Sequence, residues 1–140
     1  RINLFRTIPR SFKKALIKKG IIAFSIFGPL TFWELNQSLK EVLNKDISIG
    51  SHIFLEKGKL EIILSKYFHK IYARELIVKE SHVSLMELLR KIKYTGIRGA
   101  GLNSSFSWNQ KLLKRTEEIY KCKFGQIEAT YQIFFCRAIK

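Results

Sequence analysis

The chain has 140 residues and a mass of 16.4 kDa, enough for one compact domain or a domain with a tail. With 46% hydrophobic, 13% aromatic and 26% charged residues, it has a globular composition, which excludes a wholly disordered chain. Twenty-six Lys and Arg against 11 Asp and Glu give a formal net charge of +15 and a pI near 10.0, so an anionic partner is expected.

The first twenty residues read as a basic N-terminal arm, with a short helix over Ser11–Lys19 stopped by Gly20. No acidic residue precedes Glu34, which is the composition of a mitochondrial transit segment and equally of an arm lying along phosphates. Ile21–Phe27 (IIAFSIF) is a short apolar run and predicts a buried strand. The uncharged stretch Gly20–Trp33 is too short to cross a bilayer as a helix. Thr31-x-x-Glu34 has capping-box spacing and predicts a helix through Val42 or Leu43, with Phe32, Leu35, Leu39, Val42 and Leu43 on one face. Ile47–Leu55 and Lys59–Leu64 read as two strands around a turn at Glu56-Lys57-Gly58. Tyr67–Lys79 suits helix or strand. Ser81 or Ser84 caps a predicted helix over Val83–Lys93, with the box repeated as Ser84-x-x-Glu87. A Gly, Asn and Ser-rich loop follows, then a helix from about Asn109 to Lys123 ended by Gly125, then a strand over Gln126–Ile139. The expected fold class is α+β: a single small domain, residues 21–140, with a mixed or antiparallel sheet packed by two or three helices, preceded by the arm 1–20.

Catalytic chemistry finds little support in these residues. His52, His69 and His82 are scattered, and with Cys122 and Cys136 they make no zinc-ligand spacing. Neither a nucleophile elbow nor a P-loop occurs, Asp46 is the only Asp, and the adjacent Glu117 and Glu118 diverge on a helix surface. The two cysteines make no disulfide framework and point to a reducing compartment. The expectation is therefore a protein that is not an enzyme, with no cofactor, no metal and no small-molecule substrate. Gly96, Gly99 and Gly101, with Arg98 between the first two, can instead cradle a phosphate on backbone N–H groups. Arg90, Lys91 and Lys93 precede this loop, and Lys111, Lys114 and Arg115 follow it, with Tyr94, Phe106, Trp108 and Tyr120 interleaved. Cations for phosphates and aromatic faces for bases are the pattern of RNA loops and single strands.

Four short segments extend this reading: Gly96-Ile97-Arg98, Gly101-Leu102-Asn103, Lys114-Arg115-Thr116-Glu117 and Lys123-Phe124-Gly125. Together they give Leu85–Gly125 a resemblance to the C-terminal domain of the small-subunit ribosomal protein number three family in its organellar form. The resemblance implies a ribosomal protein that binds rRNA and touches neighbouring ribosomal proteins. The expected function is a structural constituent of a ribosome in translation, a ribonucleoprotein component located in the mitochondrion (matrix). Arg1, Arg6, Arg10, Lys13, Lys14, Lys18 and Lys19 of the arm would line rRNA phosphates, and the loop and cationic helix a second rRNA surface. A membrane-associated accessory subunit of an organellar complex, with Ile21–Trp33 in the interface, is the alternative, although not an integral membrane protein. A metal-free RNA-processing endonuclease is a further rival.

Overall fold

The computed structural model describes residues 11–45, 54–94 and 107–140. In chain order these form α1 (helical residues 11–15), β1 (Ile21–Phe27), α2 (Trp33–Leu43), α3 (Lys57–Ser65), β2 (Lys70–His82), α4 (Leu85–Tyr94), α5 (Gln110–Phe124) and β3 (Ile127–Ile139). The fold is α+β, with one three-stranded sheet in the order β1-β3-β2. The last strand therefore enters between the two earlier ones, and β1 pairs with it antiparallel from Ile21 opposite Ile139 to Phe27 opposite Ile133.

Two compact units divide the chain. The first comprises residues 1–28, 55–76 and 133–140, and the second residues 29–54 and 77–132. In the first, alternate residues of β1 (Ile22, Phe24, Ile26) and of β3 (Phe134, Cys136, Ala138) turn to one side of the sheet. There they pack with Leu60 and Leu64 of α3 and with Phe68 just beyond it. The four-residue spacing of Leu60, Leu64 and Phe68 is a helical stripe, and it overrides the strand expected over Lys59–Leu64. A six-residue apolar run fits either period, and burial of that stripe decides for the helix. Glu56-Lys57-Gly58 is accordingly a helix start, with Glu56 at the N-cap, rather than a hairpin turn. The expected strand Ile47–Leu55 falls mostly on residues outside those described; Leu55 itself packs against the first core. Backbone bonds from Lys19 N to Lys140 O and from Lys140 N to Gly20 O fasten residues 19 and 20 to the end of β3. A side chain at Gly20 would stand 2.9 Å from the Ile17 carbonyl, which explains the glycine there.

In the second unit, α2 and α5 bury Leu35, Leu39 and Tyr120 with Leu85, Leu88 and Ile92 of α4 and Ile127 and Ala129 of β3. The start of α4 follows its sequence signal: Ser84 Oγ accepts from Glu87 N at 3.2 Å, and the Glu87 carboxylate accepts from Val83 N at 2.7 Å. Asn109 caps α5, its Oδ1 accepting from Leu112 N at 2.8 Å, and Gly125 ends the helix with φ of 78°. The ambiguous stretch after Tyr67 resolves as β2.

Truncating Leu88 to Ala should cost about 2–5 kcal/mol of unfolding free energy by urea titration, since the side chain is wholly enclosed. Asn109→Ala should cost about 0.5–2 kcal/mol in the same measurement through loss of the α5 cap.

Candidate functional site

The densest buried polar chemistry lies where the start of α2 meets β3 in the second unit. Thr31-x-x-Glu34 does not cap the helix. Phe32 occupies the N-cap with φ of 59°, and both polar side chains turn toward β3. Thr31 Oγ1 donates to the Gln132 carbonyl at 3.2 Å and accepts from Gln132 N, while Gln132 Oε1 accepts from Leu30 N at 2.9 Å. The Glu34 carboxylate, only 3% exposed, accepts from Thr130 N at 3.2 Å and from the Thr130 hydroxyl. Trp33 Nε1 donates to that same hydroxyl oxygen at 3.2 Å, and its ring meets Phe124 edge-on at 5.3 Å. These contacts satisfy buried groups whose desolvation would otherwise be costly, and they lock α2 onto β3.

A second cluster joins β2, α4 and β3. Glu80 pairs with Lys91, which holds its carboxyl below the usual range, and a hydrogen bond with Tyr131 acts in the same direction. Burial pushes the Tyr131 hydroxyl up to about 12. His82 Nε2 is buried 3.8 Å from Glu80 Oε2 and has no hydrogen-bond partner among the described residues. Nearby, Lys79 hydrogen-bonds Glu128 and lowers its carboxyl, and Lys121 does the same to Glu117. Tyr120 donates to the Glu128 carbonyl at 2.5 Å, and burial raises its hydroxyl far above the ordinary tyrosine value.

The first unit carries a broad open groove of about 820 Å³ on its sheet, lined by Ala23 and Ser25 of β1, Tyr72 and Arg74 of β2, and Phe135 and Arg137 of β3, among others. Neither Arg74 nor Arg137 has an ion-pair partner among the described residues. Fourteen of the 26 Lys and Arg, but only 3 of the 11 Asp and Glu, fall in this unit. Lys13, Lys14, Lys18 and Lys19 are exposed here. Arg90, Lys93, Lys111, Lys114 and Arg115 are exposed in the second unit, whereas Lys91 is engaged by Glu80. Arg1, Arg6, Arg10, Gly96, Arg98, Gly99, Gly101 and Phe106 lie outside the described residues. Of the interleaved aromatics, Tyr120 is core, Trp108 packs against it and Tyr94 is exposed. Cys122 is exposed and Cys136 buried, and both are free thiols, with burial pushing the Cys136 thiol up. Among the described residues no group of His, Cys, Asp and Glu suits a metal ion, and no helix is long and apolar enough to cross a membrane.

No family model matches the chain. It is 29% identical over 119 residues to a malonyl-[acyl-carrier protein] O-methyltransferase 2 of Ilyobacter polytropus, covering 83% of this chain and 45% of that protein. To the methyltransferase 1 of the same organism it is 32% identical over 106 residues, 76% of this chain and 38% of that protein. A malonyl-[acyl-carrier protein] O-methyltransferase of Paenibacillus sp. is 30% identical over 130 residues, 86% of this chain and 46% of that protein. The chain thus spans less than half the length of these relatives.

These similarities overturn the ribosomal expectation. They run over most of the chain, whereas the resemblance to the ribosomal family rested on four short segments, two of which fall wholly outside the described residues. The structural role in a ribosome, the rRNA and ribosomal-protein partners, and the exclusion of enzymatic activity and of a small-molecule substrate are all corrected by the same finding. The membrane-associated alternative gains no support from it either. The buried Glu34–Thr130 pair, the Glu80–His82–Tyr131 cluster and the Arg74–Arg137 groove went unnoticed in the sequence, because each joins residues far apart in the chain. The one local signal, Thr-x-x-Glu, was read as a cap.

Thr130→Val should cost about 1–3 kcal/mol by chemical unfolding, because it strips a hydroxyl donor from a buried carboxylate. The raised Tyr131 group makes folding favour its neutral form. Stability from this source is full below the ordinary pKa of 10.0 and declines as pH rises toward about 12. Tyr131→Phe should flatten the pH dependence of the melting temperature across that alkaline window.

Proposed function

We propose that this chain is a portion of an O-methyltransferase polypeptide that esterifies the free carboxylate of a malonyl group carried as a thioester on an acyl-carrier protein. The observation that carries this reading is the similarity to proteins of that name over 76–91% of the chain.

The chemistry accounts for residues that otherwise look inert. A malonyl carboxylate is already ionised near neutral pH, so its oxygen can attack an electrophilic methyl directly. One C–O bond forms as the donor's S–C bond breaks, and the sulfonium leaves as a neutral thioether. No proton is abstracted, so no paired acid and base is required, and a sequence without a catalytic dyad or triad remains compatible with an enzyme. What the protein must supply is orientation, exclusion of water and a favourable field for an anion. A net charge of +15 supplies the sign of that field.

Such a transfer requires a methyl sulfonium donor such as S-adenosylmethionine. Three of the described glycines offer it no cradle. Gly20 is explained by the Ile17 carbonyl, Gly125 by its left-handed helix end, and Gly58 lies inside α3 with open space around it. None of these is left to bring backbone against a ligand. The donor site therefore does not rest on these three glycines.

The polypeptide that carries this chain, given S-adenosylmethionine and malonyl-acyl-carrier protein, should add one methyl group to the carrier by intact-protein mass spectrometry. Acetyl-carrier protein, which lacks the free carboxylate, should stay unmodified. Absence of transfer to the malonyl form, or equal transfer to both, would overturn the reading.

A further inference from the structure

β2 is a long edge strand. It runs for 13 residues, Lys70–His82, with β3 on one side and, among the described residues, no strand on the other. Strands average about five or six residues, and edge strands are commonly kept short or interrupted by proline. β2 contains neither proline nor glycine. Its middle is apolar and open on both faces: Leu76 is 41% exposed, Ile77 49% and Val78 40%. Adjacent side chains of a strand point to opposite faces, so one core cannot enclose all three, and here none of them is enclosed.

The charges that flank this triplet are ordered. From Arg74 to Glu80 the strand reads Arg-Glu-Leu-Ile-Val-Lys-Glu. Its two cations and two acids cancel, within a chain whose net charge is +15. Run antiparallel to itself about Ile77, the segment is its own complement: Arg74 falls opposite Glu80, Glu75 opposite Lys79, Leu76 opposite Val78, and Ile77 opposite Ile77. Residues opposite each other in an antiparallel pair share one side of the sheet. One side then carries the Ile77 pair between two Glu75–Lys79 pairs. The other carries two Leu76–Val78 pairs between two Arg74–Glu80 pairs. Neighbouring registers lose the match. A slip of one residue sets Glu75 against Glu80 or Arg74 against Lys79, and a parallel in-register pair sets every charge on its like.

We propose that the outer edge of β2 pairs with the β2 of a second copy, antiparallel and centred on Ile77. The seam joins two three-stranded sheets into one of six strands, and the same surface serves both partners. Backbone groups supply the hydrogen bonds, the aliphatic triplet supplies apolar burial, and the charges fix direction and register. Lys79 already hydrogen-bonds Glu128 at 2.8 Å, and Glu80 already pairs with Lys91. Both contacts lie at the surface, where an ion pair is weak and a second opposite charge can share it. Two chains of +15 repel at long range, so the dimer is a weak one that salt favours. The pairing depends on residues of one strand and not on the methyltransferase reading.

The test is sedimentation equilibrium of the polypeptide that carries this chain. A two-strand seam belongs to the small, transient class of interface, so the measurement needs about 100 μM protein. Salt at about 0.15 M, with a Debye length of about 8 Å, screens the net charge more than the contacts across the seam. A substantial dimer fraction is expected. Glu75→Lys and Lys79→Glu should each weaken association at least about tenfold, because like charges then meet twice across the seam. Mixed in equal amounts, the two variants should associate with each other as the unaltered protein does with itself, since each supplies the charge the other lacks. A melting temperature within a few degrees of the unaltered protein shows that each variant is folded. An unaltered polypeptide that stays monomeric would overturn the pairing, as would dimers indifferent to both substitutions or variants that fail to recover on mixing. Should either variant not fold, Ile77→Lys decides: it sets two lysines face to face at the centre and should leave a folded monomer, whereas an undiminished dimer would sink the seam.

Discussion

The strand β3 is the element on which every other part depends. Thirteen residues, Ile127–Ile139, run through the middle of the sheet, and each core draws on some of them. Ile127 and Ala129 pack in one core, and Phe134, Cys136 and Ala138 in the other. The same strand receives the Glu34 and Thr31 bonds that seat α2, accepts the Tyr120 hydroxyl, and holds Lys19 and Gly20 through Lys140. Because it is the last strand in the chain and enters between the first two, neither core can close until it arrives. Such long-range pairing must overcome its loop-closure entropy before contacts repay it.

Legibility followed the range of the interaction. The start of α4 and the end of α5 were readable because Ser84, Glu87 and Gly125 act within one turn. β3 was readable because its run is long enough to show alternation, and β1 because Gly20 and Gly28 bound a run too short for a helix. Lys59–Leu64 was read as a strand because its stripe is completed only by Phe68, four residues beyond that run. Thr31 and Glu34 show the opposite failure: a sound local signal was outbid by Thr130 and Gln132, some hundred positions away. No periodicity reports such a partner.

The charge shows how far a bulk property reaches. An excess of +15 fixes the sign of a favoured ligand, and a malonyl carboxylate satisfies that sign as well as an RNA phosphate does. Charge carries no information on class. The step from "no catalytic set" to "no enzyme" failed for a related reason. Motifs of acids, bases and nucleophiles mark reactions that move protons or form covalent intermediates, and direct transfer of a methyl group from a sulfonium to a carboxylate does neither.

That contrast gives the proposed chemistry its most direct test, the pH dependence of kcat/KM for methyl transfer to malonyl-carrier protein. An acceptor already ionised, attacking without help, should give a rate that is level between about pH 6 and 8. A rate that climbs with pH through an apparent pKa near 7 would contradict the account, since it would require a general base.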